Sequence, residues 1–296
     1  MLAKYMCRIL GFIGRHSVYK KISDELIKGI VGASRYDPYA VRAFGREEAS
    51  HKDGWGRLRI FLGAGKTSIY LYRSTEPIFI DRPSEDSFET DIVRYSDPLM
   101  IDFIHARAAS TGNPVNIFSV HPFETVTKRG YKIFLMHNGT VDKYRLAETL
   151  ENKVSEDILK NYSDTYILAL KLGELLDEDV DMNVLRKIKE YVKSALNIGL
   201  VLLAENKVSV VFGSYYKDNG SKDLKNYYKL YMTDLTEKNY EERNIIFASS
   251  TLVDFREYRL SFVESWRELE NGEYHIIRIE RYKDKEMRIS SERFMI

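Results

Sequence analysis

Residues 131–142, YKIFLMHNGTVD, constrain what this chain can fold into more than any other stretch. An apolar run, Ile133–Met136, stops at His137-Asn138-Gly139, and a new segment opens at Thr140. A short apolar run halted by a polar Asn-Gly predicts a buried strand that delivers a turn to its end. Similar runs recur along the chain. Cys7–Gly14, Arg57–Leu62, Ser68–Tyr72 and Leu99–Ile104 come before it, and Gly199–Leu203, Val208–Phe212, Tyr227–Met232, Asn244–Ala248 and Tyr274–Ile279 follow. Glu205-Asn206-Lys207 and Asp218-Asn219-Gly220 predict antiparallel hairpins between the later runs. Helical spacing appears over Val18–Ile30, broken by Gly32 and Pro38. It returns over Ser163–Glu178, with Leu168, Leu172, Leu175 and Leu176 on one face and Ser163 or Asp164 as cap, and over Val184–Leu196. Strands, two long central helices and more antiparallel strands predict an α+β domain of layered sheets and helices.

Bulk properties exclude several classes of function. At 296 residues the chain is long enough for a sizeable core, and 45 Lys and Arg against 44 Asp and Glu leave a net charge of +1. Such a balance carries no electrostatic footprint for nucleic acid or an anionic membrane. No apolar run approaches the roughly 20 residues that span a bilayer. The start, MLAKYMCRIL, has no secretory cleavage signature, so a cytoplasmic location is expected. Tyr215-Tyr216 and Tyr227-Tyr228 read as sheet residues rather than stacking platforms, because no basic groove accompanies them. All six prolines lie at or before Pro122, which concentrates irregular backbone, and with it the expected site, in the first half.

Chemistry enters at the single cysteine, Cys7. One cysteine excludes an internal disulfide and a thiolate metal cluster, leaving a small buried side chain or a nucleophile. Were translation to begin at Met6, or residues 1–6 to be trimmed, Cys7 would become the first residue. Its α-amine, of pKa about 7.7–8.0, would then sit beside a thiol of about 8.5 and serve as its base. Gly139 offers a backbone N–H and Asn138 a side-chain NH₂, two donors of the kind a developing oxyanion needs. His51, His105, His121 and His137 lack the helical spacing of a metal pair and read as hydrogen-bonding residues that order loops.

Several short segments now line up. They are Met6-Cys7-Arg8-Ile9-Leu10-Gly11, His51-Lys52-Asp53-Gly54-Trp55-Gly56, His105-Ala106-Arg107-Ala108-Ala109-Ser110, Gly112, His121-Pro122-Phe123, His137-Asn138-Gly139 and Ser163-Asp164-Thr165. In this order they resemble the class II glutamine amidotransferases, the N-terminal-nucleophile hydrolases with cysteine at residue one. The likeness extends to stand-alone members that act on γ-glutamyl amides. Ala248-Ser249-Ser250 and the stretch from Trp266 to Glu273 resemble that family's C-terminal strands. One departure is Ser119, where the family usually carries Asn two residues before the His-Pro pair.

The resemblance implies a four-layer αββα sandwich, two antiparallel sheets between helix layers, formed by residues 7–296 as one domain, with residues 1–6 as a leader absent from the active protein. It implies Cys7 as nucleophile, with Asn138 and Gly139 holding the oxyanion. Arg107 and Ser110 would bind the substrate α-carboxylate, and Asp164 its α-ammonium. Asp53-Gly54-Trp55-Gly56 would be structural, a turn with an aromatic packed against the site. No metal or organic cofactor is expected. The expected partner is a small molecule, glutamine or a γ-glutamyl amide, with no nucleic acid and no membrane. No synthase domain is expected after residue 296. The chain would therefore hydrolyse its substrate outright or pass ammonia to a separate synthase chain. A non-catalytic glutamine-binding module is the expectation if residues 1–6 are retained.

Overall fold

The computed structural model describes residues 7–45, 49–63, 65–81, 97–110, 112–235, 243–281 and 287–296; residues 1–6, expected to be a leader, lie outside them. In chain order the strands are β1 (Arg8–Arg15), β2 (Trp55–Gly63), β3 (Lys66–Ser74), β4 (Leu99–Ala106), β5 (Phe123–Val126), β6 (Lys132–Val141) and β7 (Val192–Leu203). They continue as β8 (Lys207–Ser214), β9 (Leu230–Asp234), β10 (Ile245–Ser249), β11 (Arg267–Glu268), β12 (Glu273–Arg281) and β13 (Met287–Met295). The helices are α1 (His16–Arg35), α2 (Pro38–Phe44), α3 (Lys143–Glu148), α4 (Glu156–Asn161), α5 (Asp164–Leu175), α6 (Met182–Lys189), α7 (Lys222–Tyr228) and α8 (Thr251–Asp254).

These strands form two antiparallel sheets, ordered β11-β9-β10-β1-β4-β2-β3 and β13-β12-β8-β7-β6-β5. Alternation along each strand decides which residues face which layer. Ile9, Leu58, Ile101 and Phe103 of the first sheet meet Phe134, Met136, Val201 and Phe212 of the second in the central core. On the first sheet's outer face, Leu10, Phe12 and Met100 pack under Leu26 and Ile30 of α1 and Leu252 of α8. On the second sheet's outer face, Ile133, Leu135 and Leu200 pack under Leu146, Leu168, Leu172 and Leu185 of α3, α5 and α6. The result is the four-layer αββα sandwich.

Several local expectations are corrected. β6 does not end at a turn; it runs through His137, Asn138 and Gly139 to Val141, with a register shift against β7 between Gly139 and Val141. Asn-Gly here is strand, because Gly139 lies under the Ala195 carbonyl, whose oxygen would be 1.9 Å from any Cβ. α1 continues past Gly32 to Arg35, since buried Ile30, Ala33 and Ser34 keep the helix on the sheet. The helix expected over Val184–Leu196 stops at Lys189, and Val192–Leu196 opens β7, so its later apolar residues obey a period of two. Tyr227 and Tyr228 close α7 rather than lie in a sheet, and Asp218-Asn219-Gly220 leads into that helix rather than a hairpin. The hairpin at 204–206 forms as expected, joining β7 to β8.

Candidate active site

Cys7 precedes the first residue of β1, and Arg107 follows the last of β4. In that pair Arg8 faces Ala106, so the sheet itself brings the two side by side. Cys7 is buried, at 8% exposure. Burial pushes its thiol up to about 11, against the opposing pull of a backbone hydrogen bond from Ala108 and of the Arg107 charge, while Sγ lies 3.8 Å from the Ala108 carbonyl oxygen. At neutral pH the sulfur is therefore a thiol, and a nucleophilic step requires a base close to it.

Asn138 comes from the opposite sheet. Its side-chain oxygen accepts the Cys7 N–H at 3.0 Å, which leaves its amide nitrogen, buried at 0% exposure, with no partner among the described residues. An unpartnered buried donor of this kind costs roughly 1–3 kcal/mol. Gly139 follows directly in β6, with its backbone close under Ala195.

Asp164 stands at the first turn of α5, yet it does not cap that helix. Its Oδ2 accepts the Val141 N–H at 2.8 Å, just past the β6 bulge, and the N-cap Ser163 makes no side-chain cap bond. Past the bulge Val141 stays opposite Val192, and its N–H goes to Asp164 rather than to β7. Arg107 is buried, donating from Nη2 to the Pro114 carbonyl at 2.9 Å and from Nη1 to the Asp53 carbonyl at 3.3 Å. Asp53, Arg107 and Asp164 all act electrostatically on Cys7. Cys7, Asn138, Gly139, Arg107 and Asp164 therefore converge. Ser110 lies three residues beyond Arg107, half-buried, its carbonyl accepting the Asn113 N–H at 2.9 Å.

The segment Asp53-Gly54-Trp55-Gly56 was expected to be structural; the Arg8–Asp37 pair behind Cys7 was not anticipated. Asp53 orders the turn after β4, its carboxylate accepting the Ala109 N–H at 2.7 Å. Trp55 turns into the outer core against Tyr72, with its Nε1 on Asp81 at 3.0 Å. Behind Cys7, Arg8 is fully buried. It pairs with Asp37 at 2.5 Å, donates to the Tyr227 carbonyl at 3.1 Å and lies 3.9 Å from the Tyr227 ring. Burial alone would raise Asp37, but Arg8, His51 and Thr251 outweigh it and hold the carboxyl at about 2. The sequence carried two cues: Arg8 adjoins the nucleophile, and Asp37 before Pro38 has the form of a helix cap, which it is, accepting from Tyr39 and Ala40 N–H.

Of the motif histidines, His105 and His137 sit in strands, whereas His51 and His121 lie in loops. His51 meets Asp37 at 2.8 Å. His137 bridges the Thr165 hydroxyl at 3.1 Å and the Ala195 carbonyl at 3.0 Å, and His105 reaches the His137 carbonyl at 3.3 Å. Neither ring nitrogen of His121 has a partner among the described residues. No group of three or more His, Cys, Asp or Glu able to hold a metal occurs among the described residues. No helix among them is long and apolar enough to cross a membrane.

No protein-family model and no curated protein matches the chain. Solved structures do. Glutamine phosphoribosylpyrophosphate amidotransferase from B. subtilis, complexed with ADP and GMP, superposes with a TM-score of 0.51 at 16% identity, over 98% of this chain and 50% of that one. The chain shares the fold of that amidotransferase, a four-layer αββα sandwich of N-terminal-nucleophile hydrolase type. A second structure, described as the allosteric regulatory enzyme of purine biosynthesis, gives a TM-score of 0.50 at 16% identity, over 98% of this chain and 49% of that one. At such identity the likeness is one of fold. The chain spans about half the length of these two solved structures.

Proposed function

We propose that this chain hydrolyses the side-chain amide of glutamine or a γ-glutamyl compound through a thioester on Cys7. With residues 1–6 removed, the Cys7 α-amine takes the thiol proton as sulfur attacks the amide carbonyl. Asn138 Nδ2 and the Gly139 N–H receive the oxyanion. The tetrahedral intermediate collapses, the C–N bond breaks, and the amine proton passes to the departing ammonia or amine. Water then attacks the thioester carbonyl, giving a γ-carboxylate and restoring the thiol. Arg107, with Ser110, binds the α-carboxylate. Asp164, whose carboxylate keeps acceptor capacity beyond the Val141 bond, binds the α-ammonium.

One observation carries this reading. Asn138 accepts the Cys7 N–H with its oxygen and keeps a buried amide NH₂ without a partner among the described residues. A purely structural asparagine at 0% exposure would satisfy both ends. The raised thiol supports a built-in base, because burial keeps the sulfur protonated until attack. Trapping with a glutamine-like electrophile, followed by mapping of the adduct, tests the proposal. Labelling is expected on Cys7 alone and absent in Cys7→Ala; an adduct at another residue overturns it.

A further inference from the structure

We infer that His105 is a positioning residue for this reaction, holding the His137–Asn138 peptide in place from the opposite sheet. The inference rests on the proposed function. Nucleophile and oxyanion donor belong to different sheets, Cys7 to the first and Asn138 to the second. Apolar packing between the sheets has no preferred direction along the strands, whereas a hydrogen bond does. His105, on β4 opposite Ile9, spans the gap with Nε2 3.3 Å from the His137 carbonyl oxygen. A carbonyl only accepts, so the ring proton lies on Nε2. That carbonyl belongs to the peptide leading directly into Asn138.

The ring is itself held. His121 stacks on His105 with centroids 4.0 Å apart and planes tilted by 35°, and Phe123 backs His121 at 4.9 Å. Gly56 makes this possible, since a Cβ there would lie 2.0 Å from the His121 carbonyl oxygen. Both rings are buried, and burial holds His105 down to about 3 and His121 well below its ordinary value. Both are neutral, and the donor persists across the physiological range. His105 Nδ1 and both His121 nitrogens have no partner among the described residues. An apolar pair would fill the same space without burying them. What a histidine supplies here, and a phenylalanine does not, is the donor to His137.

His105→Phe keeps a ring and removes that donor, while His105→Gln keeps a donor at similar reach. His105→Phe is expected to lower kcat about ten- to a hundredfold, the scale of a small misplacement, with KM changed by less than about threefold. Alkylation of Cys7 by iodoacetamide, which needs no oxyanion donor, is expected to proceed at the parent rate, and His105→Gln to recover most of the turnover. A kcat unchanged in a folded His105→Phe, or no recovery in a folded His105→Gln, overturns the inference. Imidazole ¹⁵N resonances of the unaltered protein test the bond without any activity: the proton is expected on Nε2, and a proton on Nδ1 overturns it. A parent protein that releases no ammonia from glutamine or a γ-glutamyl amide overturns the proposed function instead, and the ¹⁵N assignment still decides the bond.

Discussion

The roles proposed for Asn138 and Asp164 are separable by substitution. An oxyanion donor acts chiefly in the transition state, so Asn138→Ala is expected to lower kcat by roughly 10²–10³ with a much smaller effect on KM. Steady-state kinetics checks this, and unchanged turnover removes Asn138 from the mechanism. Asp164→Asn keeps an oxygen for the Val141 N–H, 2.8 Å away in the native protein, but loses the charge proposed for the substrate ammonium. It is expected to raise KM by about tenfold or more, from the roughly 1.5–3 kcal/mol of a hydrogen bond to a charged group, with little change in Tm. An Asp164→Asn enzyme with the parent KM contradicts that role. Each of these residues was picked out in the sequence by its neighbours in a motif. What the motif did not convey was the β6 bulge, which explains why a carboxylate at a helix start bonds to a strand rather than to its own helix.

Elements that carry the site are tied together by Arg8 and Asp37. Arg8 opens β1, Asp37 caps α2, and their ion pair also collects His51, Thr251 and the Tyr227 carbonyl at the end of α7. Removing one partner leaves a buried charge uncompensated, so Asp37→Ala is expected to cost roughly 3–5 kcal/mol of stability, measured by denaturant unfolding. A loss below about 1 kcal/mol contradicts the buried pair. The element-level reading of the sequence was sound where apolar runs were long, as at Leu99–Ile104 within β4 and Val208–Phe212 within β8. It failed where one apolar pattern fits two periods. Val192 and Leu196 satisfy helical spacing with Leu185 and Ile188, yet the chain turns at Glu190 and they enter β7. β13 was invisible because it is an edge strand whose residues are mostly exposed, and nothing in Arg288–Glu292 forms an apolar run.

At the scale of the whole molecule, His105, His121 and His137 are buried between or beside the sheets, and burial holds all three below the ordinary value of 6.5. The sign follows from proton binding. Below pH 6.5 the unfolded chain takes up protons that the folded protein refuses, so their contribution is fully present above 6.5 and is lost as pH falls. Each such histidine accounts for up to about 1.4 kcal/mol per pH unit below its unfolded value, so stability is expected to drop steeply between pH 6.5 and 5. Urea unfolding across that range checks it, and a flat profile contradicts it. Asp37, held at about 2, adds a loss in the same direction at lower pH, below the ordinary 3.8. The layered architecture was readable from strand and helix order, and the motifs contain the residues that converge around Cys7. The pairing of the two halves of the site across the sheets was not, because sequence spacing does not say that residue 7 and residue 138 share a hydrogen bond.

The proposed chemistry requires one residue to carry both the thiol and a free amine. The direct measurement is intact mass, with N-terminal sequencing, of protein that is releasing ammonia from glutamine or a γ-glutamyl amide. The expected result is a chain that begins at Cys7. Full turnover by protein that still carries residues 1–6 contradicts the account.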